Sequence, residues 1–513
     1  MLKKLGELGG IFGQKDVHPL ADPREFKRIL AELPKDNAFK ALDEIAGWLE
    51  SLTASHECPE DRMYDVAVQM EEVAHGHLRR LSREYLLTPR LPRSEEKRLW
   101  SINLGFWRLL AATYERCSLA VGEKTKLAET LKAQLPALCA RHIAARAAVM
   151  KWEQFHYGPI PEGLWKKMGQ ALLLAESAGV AGKSVSLGTS RGLSSPLQEF
   201  EKAVVFQAAS LDSLLPLEIE LAERLIEHFL SGFIFANVVS HDSVYWVDLE
   251  QDLPPLRLAR MPAQAQPTQR FFKPGNAHRE IQQLLATLEQ GGDVPPDIKL
   301  GGQVYPKTLI PVLRHLAAYL APVPPQRRHD RHRVKHRMSV LNGLINAFVV
   351  FSGEFGGRPA GLQMESWVVE NVSRGGFGVV LTSGSADWLR VGVLIAMQPE
   401  GGENWLLGIV RRYHRLSETE ARVGIYALAR QVVSVELKPR AASSYAAAAG
   451  TPALLIRDGN GPGEIRVVLP VASFDLRECL EYTMDGRRHT LTPMALLEQT
   501  ADFELARYRL DVA

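Results

Sequence analysis

The chain has 513 residues, 46% of them hydrophobic and 23% charged, and a formal net charge of +2 at pH 7. That length exceeds what one ordinary core serves and predicts roughly two to four domains. The balanced composition excludes wholesale disorder and a uniformly basic, nucleic-acid-coating protein, so any anion site must be a local cluster. Four scattered cysteines, Cys58, Cys117, Cys139 and Cys479, form no CxxC pair and read as structural thiols of a reducing compartment. The start, MLKKLGELGGIFGQKD, is basic but has no apolar stretch of signal-peptide length, and no window reaches the ~18 apolar residues of a membrane span. A cytoplasmic protein is expected.

The first half reads as helices. Leu42, Ile45, Leu49 and Leu52 recur at helical spacing, as do Val66, Met70, Val73, His77 and Leu81. Ser94, followed by two glutamates, predicts an N-cap for a helix carrying Leu99, Trp100, Phe106, Trp107, Leu110 and Tyr114. A further helical stretch runs from about Lys124 to Phe155, with Pro136 as a kink or break. Amphipathic helices must bury their stripes against one another, which predicts a helical bundle over 1–180. The Gly/Ser-rich loop at 181–196 marks a candidate boundary. Beyond it, 195–321 reads as a mostly helical segment in which FIFANVV and SVYWVDL form a short hairpin.

At APVPPQ (321–326) prolines stop the helix and the period changes. Strands are expected at roughly 340–351, 362–371, 376–382, 391–398, 404–413 and 421–429, separated by glycine-bearing turns. Short strands at this spacing predict an antiparallel barrel or sandwich over 323–435. AASSYAAAAG (441–450) reads as a low-complexity linker, and 450–513 as a β-rich carboxy-terminal extension. The expected class is multidomain α+β.

Two features of the barrel region belong together. The run QRRHDRHRVKHR, just ahead of the first strand, holds six Arg or Lys residues against Asp330 alone; Asn371-Val-Ser373-Arg374-Gly375-Gly376 lies between two later strands. Together they resemble the signatures of PilZ domains, RxxxR followed by [D/N]xSxxG, with Arg327 and Arg331 matching the first and Asn371, Ser373 and Gly376 the second. The resemblance covers about a fifth of the chain. It implies a six-stranded antiparallel β-barrel and a bacterial, non-enzymatic receptor for cyclic di-GMP. It implies as ligand residues Arg327, Arg331, Asn371, Ser373 and Gly376, with Arg328 and Arg374 as secondary candidates. The chemistry suits these residue types. Guanidinium groups fork onto phosphate, pair with guanine O6 and N7 and stack on bases. Asn371 offers an amide to a guanine edge, Ser373 donates and accepts, and Gly376 leaves room for positive φ and a close-lying base. Asn371 stands where many members carry aspartate, and its neutral amide is a weaker acceptor toward guanine N–H groups than a carboxylate. Arg411 and Arg412 lie on a strand, where alternation turns one of them outward.

Other signals point elsewhere. Ser177–Ser184 is one residue short of a phosphate-binding Walker loop and follows a helix where a strand is needed. His329, His332 and His336 sit among cations that disfavour a divalent metal. No nucleophile elbow, HExxH or paired carboxylate motif appears, so no catalytic residue, metal or cofactor is expected, and no DNA partner. The expected function is a cyclic di-GMP effector that couples binding at the barrel to a protein partner of the helical region. Two rivals are a PilZ-fold scaffold that no longer binds nucleotide, and RNA binding through the basic run, which lacks interleaved aromatics for stacking.

Overall fold

The computed structural model describes residues 18–88, 91–121, 126–189, 191–258, 265–326, 330–352, 363–382, 388–417, 419–440 and 450–512. The amino-terminal stretch read above for a signal peptide lies outside these residues, as do Arg327, Arg328 and His329. The chain divides into two compact units. One comprises 1–156, 160–211 and 216–325; the other comprises 157–159, 212–215 and 326–513. Residues 1–180 and 195–321, read separately from the sequence, thus fall in one unit apart from 157–159 and 212–215.

The first unit begins with α1 (Pro23–Glu32), α2 (Ala38–Ala54), α3 (Glu60–Leu87), α4 (Arg93–Ala120), α5 (Lys126–Phe155) and α6 (Leu164–Ser177). Side-chain caps set the first two: Asp22 accepts from the Arg24 N–H and Asn37 from the Lys40 N–H. Leu42, Ile45, Leu49 and Leu52 of α2 are all fully buried. On α3 the buried stripe runs through Val66, Met70, Ala74, Leu78 and Leu81, and Val73 is exposed. The expected stripe through Val73 and His77 is therefore corrected by about one residue, because apolar identity alone favoured Val73 over the small Ala74 that packs more closely. Ser94 also differs from expectation. It lies inside the first turn of α4, whose N-cap is Pro92 without a side-chain hydrogen bond. Pro136 sits within α5, which continues through it.

The loop after α6 forms a two-strand clip, β1 (Val185–Ser186) against β2 (Leu193–Ser194). It is tied to the bundle by Arg191, which donates to Glu71, and by Thr189, which donates to Glu72. Then follow α7 (Pro196–Ala208), α8 (Pro216–Phe229), β3 (Ile234–Ala236), β4 (Tyr245–Asp248), β5 (Leu256–Arg257), β6 (Gln269–Lys273), α9 (Gly275–Glu289) and α10 (Pro306–Tyr319). FIFANVV and SVYWVDL supply β3 and β4, but they do not form the expected hairpin: β6 inserts between them in the order β3-β6-β4-β5. The two aromatic residues of QRFFK pack well there, Phe271 and Phe272 both buried. No helix among the described residues is long and apolar enough to cross a membrane.

The second unit holds two barrels. The first is built from β7 (His332–Asn342), β8 (Glu365–Ser373), β9 (Gly376–Leu381), β10 (Leu394–Pro399), β11 (Leu406–Arg415) and β12 (Ala421–Ala429), closed in the order β10-β11-β12-β9-β8-β7 with every pair antiparallel. The six-stranded antiparallel barrel expected from the sequence is present. Its interior is filled by Met338, Val340, Trp367, Val369, Val379, Val393, Ile395, Met397, Val423 and Ile425, the alternate residues of their strands. The first strand differs from the reading. It lies earlier, at 332–342, and GLINAFVVF forms α11 (Gly343–Phe351). A continuous apolar run does not by itself separate strand from helix; Gly343, at φ +80, breaks the strand where the run begins.

The carboxy-terminal extension is itself a closed six-stranded antiparallel barrel. Its strands are β13 (Val432–Pro439), β14 (Thr451–Ile456), β15 (Glu464–Leu469), β16 (Leu480–Met484), β17 (Arg487–Gln499) and β18 (Glu504–Val512), in the order β13-β14-β15-β18-β17-β16. The structural boundary falls between Ala429 and Val432, since β13 pairs with β14 and β16. Most of the low-complexity stretch expected as a linker (441–449) falls between two strands of the second barrel and lies outside the described residues. The barrels share an apolar seam in which Leu341, Leu394, Leu407, Ile409 and Leu428 of the first meet Leu454, Ile456, Phe503 and Leu505 of the second.

Candidate functional site

Strand register brings the two sequence features together. Arg333 pairs with Asn371 and His332 with Val372, and Arg331 immediately precedes His332 and is exposed. The described end of the arginine run therefore lies alongside the Asn-Val-Ser motif. The other residue of the RxxxR match, Arg327, and the secondary candidate Arg328 lie outside the described residues.

Register then continues across the sheet: Asn371 pairs with Gly378, Gly378 with Gly424, and Gly424 with Arg412. The row Arg333–Asn371–Gly378–Gly424–Arg412 spans five strands at one level. It faces outward, because Val379, Val423 and Ile425, the chain neighbours of the two glycines, fill the interior.

Three β-bulges build this row. Register shifts fall between Arg333 and His336 on β7, between Val369 and Asn371 on β8, and between Val410 and Arg412 on β11. Val369 and Val410 point into the core. Strict alternation from them would bury Asn371 and Arg412, and the extra residue in each strand turns these polar side chains outward instead. The same bulge frees Arg411 from alternation, so both arginines of the pair reach the outside, where sequence reasoning gave only one that freedom.

The floor between the flanking side chains is bare. A Cβ on Gly378 would lie 2.5 Å from Nδ2 and Oδ1 of Asn371, so the Asn371 amide rests directly over that glycine. A Cβ on Gly424 would lie 3.2 Å from the Cβ of Arg412. Glycine inside a strand marks a close approach of this kind. The GxG spacing of Gly376 and Gly378, and the glycine in ARVGIYALA, were the signals available in the sequence for this floor.

Ser373 and Gly376 close the β8–β9 hairpin as a register pair, with the Ser373 hydroxyl donating to the Gly376 carbonyl at 3.3 Å. The Ala427 N–H donates to the Gly375 carbonyl at 3.1 Å, which pins the turn to β12. Arg374 stands exposed at the tip. At Gly376 the close group is backbone: a Cβ there would lie 1.9 Å from the Ile425 carbonyl oxygen. Its smallness serves the β9–β12 contact.

Charge at this face is mostly positive. Arg331, Arg333, Arg374 and Arg412 are exposed. Asp212, in the short segment grouped with this unit, lies close enough to feel the charges of Arg412 and His414. Burial pushes its carboxyl upward, while Arg412 and His414 pull the other way. His332 and His336 both lie on β7, and among the described residues no group of three or more His, Cys, Asp or Glu is placed to hold a metal ion. A side-chain-free floor edged by an amide and guanidinium groups accommodates a flat, anionic ligand with hydrogen-bonding edges.

No curated protein matches the chain. Residues 24–236, from α1 through β3, match the family model described as "Cyclic-di-GMP receptor FimW, N-terminal domain".

Proposed function

We propose that the chain is a cyclic di-GMP receptor in which the first barrel is a PilZ-type ligand domain and the helical unit carries the response to a protein partner. The observation that carries this reading is the register of the barrel, which sets Arg333 beside Asn371 and His332, next to Arg331 in the chain, beside Val372 at the edge of the glycine floor. The family-model match supports it independently. That match falls on residues 24–236, the motif falls on residues 327–376, and the two stretches share no residue yet concern one ligand.

In this reading Arg327 and Arg331 fork onto the phosphates or the Hoogsteen edges of guanine. The Asn371 amide and the Ser373 hydroxyl meet a guanine edge, and the base lies over Gly378 and Gly424. Arg328 and Arg374 add charge at the rim. Binding shifts a conformational equilibrium to the extent that the nucleotide favours one state. The site does chemistry on nothing; it holds.

Arg331→Ala is expected to weaken cyclic di-GMP binding at least tenfold in calorimetric titration of the full chain, about 1.4 kcal/mol for a lost charge-assisted contact, with an unchanged melting temperature. Hydrogen exchange on the same samples reads the coupling, as altered protection within 24–236 on saturation. Absence of heat from the wild-type chain at micromolar nucleotide would leave a scaffold. Equal binding of unrelated oligonucleotides, with steep salt dependence, would leave RNA recognition.

A further inference from the structure

Along the outer face of β12, two residues and about 7 Å beyond the Gly424 floor, stands Tyr426. It is the register partner of Gly376 and is 43% exposed. Leu428, two residues further, is already in the apolar seam with the second barrel. Where the floor meets that seam lies an open cleft of about 300 Å³, lined by Arg411, Tyr426 and Leu428 of the first barrel and by Arg466, Glu498 and Leu505 of the second.

The charges of this cleft are unevenly matched. Arg411 is answered by Glu498 through two hydrogen bonds, 2.5 and 2.6 Å, and its guanidinium lies 5.7 Å from the centre of the Tyr426 ring. Arg466 is held by neutral acceptors. Its Nε donates to Asn460 Oδ1 at 3.2 Å and its Nη2 to the Asp458 carbonyl at 2.7 Å, and Arg466 takes part in none of the ion pairs formed among the described residues. A guanidinium oriented by neutral groups keeps its charge available to an incoming anion. The cleft therefore offers an exposed aromatic face and an oriented, unneutralised cation, the two elements that grip a base and its phosphate.

We infer that the second barrel completes the nucleotide site, with a guanine base of the ligand stacked on Tyr426 and a phosphate received by Arg466. This rests on the cyclic di-GMP reading of the first barrel and extends it to residues outside both motifs. The ligand then spans from Asn371 across the glycine floor to the second barrel, and binding draws on both barrels of the unit.

The test is calorimetric titration of the full chain with cyclic di-GMP, for wild type, Arg331→Ala, Tyr426→Leu, Tyr426→Phe and Arg466→Gln. Leucine keeps apolar volume beside the seam and removes the ring; phenylalanine keeps the ring. The expected result is about a tenfold loss for Tyr426→Leu, in the range of one stacked base, near-wild-type affinity for Tyr426→Phe, and about a tenfold loss for Arg466→Gln. Thermal melting checks that each variant is folded. Should Tyr426→Leu melt early, Tyr426→His, which retains a stacking ring, replaces it, compared with Tyr426→Gln. Wild type and Arg331→Ala behaving as proposed, with the Tyr426 and Arg466 variants within twofold of wild type, would overturn this inference alone. A wild-type chain that does not bind overturns the underlying reading as well.

Discussion

Glu71→Ala destabilises the helical unit by about 3–5 kcal/mol, the cost of leaving a buried charge without its partner. Glu71 is 5% exposed and sits at the centre of a buried network. Its Oε2 accepts from the Tyr114 hydroxyl at 2.6 Å and from Arg141 Nη1 at 2.5 Å, and its Oε1 accepts from Arg191 Nη1 at 3.2 Å. Burial works against the charge on Arg141, and Glu71 together with Tyr114 and Tyr64 more than offsets it. Arg191 keeps a second carboxylate, Glu199, at 3.9 Å, whereas Glu71 is the one carboxylate in ion-pair range of Arg141 among the described residues. The truncation therefore strands the Arg141 guanidinium, orphans the Tyr114 hydroxyl and loosens the clip that carries Arg191. Urea unfolding followed by far-UV circular dichroism measures the change as a shift in the helical transition. A loss under ~1 kcal/mol would mean that water reaches Arg141 and that the network contributes little. Replacing Glu71 and Arg141 together by methionine is expected to cost less than Glu71→Ala, because no unpaired charge is then left behind.

Gly376→Ala abolishes cooperative unfolding of the first barrel or lowers its stability by about 3 kcal/mol or more, the upper range for forced overpacking. The added methyl group would lie 1.9 Å from the Ile425 carbonyl oxygen and 3.3 Å from the Tyr426 Cα. Both are backbone atoms of β12, so no rotamer change relieves the clash and the β9–β12 ladder must part. Gly378→Ala, two residues along the same strand, is the control. There the new methyl group meets the Asn371 side-chain amide at 2.5 Å, and a side chain can rotate away. Gly378→Ala is expected to melt close to wild type and to bind cyclic di-GMP at least fivefold more weakly, because Asn371 has been displaced from its place over the floor. Near-UV circular dichroism melts and calorimetry on the pair separate the two roles. If Gly376→Ala melts like wild type, the motif glycine is there for the ligand after all.

Together these substitutions divide the motif by function. Within Asn371–Gly376, the serine and the last glycine shape the hairpin and its contact with β12. Asn371 and the end of the arginine arm present polar groups to the outer face. On the proposed reading, a loss of nucleotide binding in a Gly376 variant reports first on barrel integrity, and variants of Asn371, Arg331 or the floor report on recognition at the first barrel.

The sequence by itself determined the class and the main elements: helical spacing through Leu42–Leu52, the change of period after the prolines at 321–326, and five of the six strands of the first barrel within a few residues. These are local properties. A 3.6- or 2-residue period and the turn chemistry of Asn and Gly act over a few neighbours, and the chain displays them directly. The pairing of the arginine run with the Asn-x-Ser motif also began as a sequence observation, through resemblance. What only the tertiary structure decided depends on partners far away in the chain. Burial of Ala74 in place of Val73 depends on what faces α3. The insertion of β6 between β3 and β4, the closure of the tail into a second barrel and the assignment of β13 to it are pairings between segments whose own residues do not name their neighbours. The three bulges are the clearest case. Each adds one residue to a strand, and nothing in Val-Glu370-Asn371 or Val-Arg411-Arg412 announces it, yet each reverses which side chains face the core. Tertiary register, by turning Asn371 and Arg412 outward at one level over two glycines, is what brought to the surface polar residues that alternation alone would have buried.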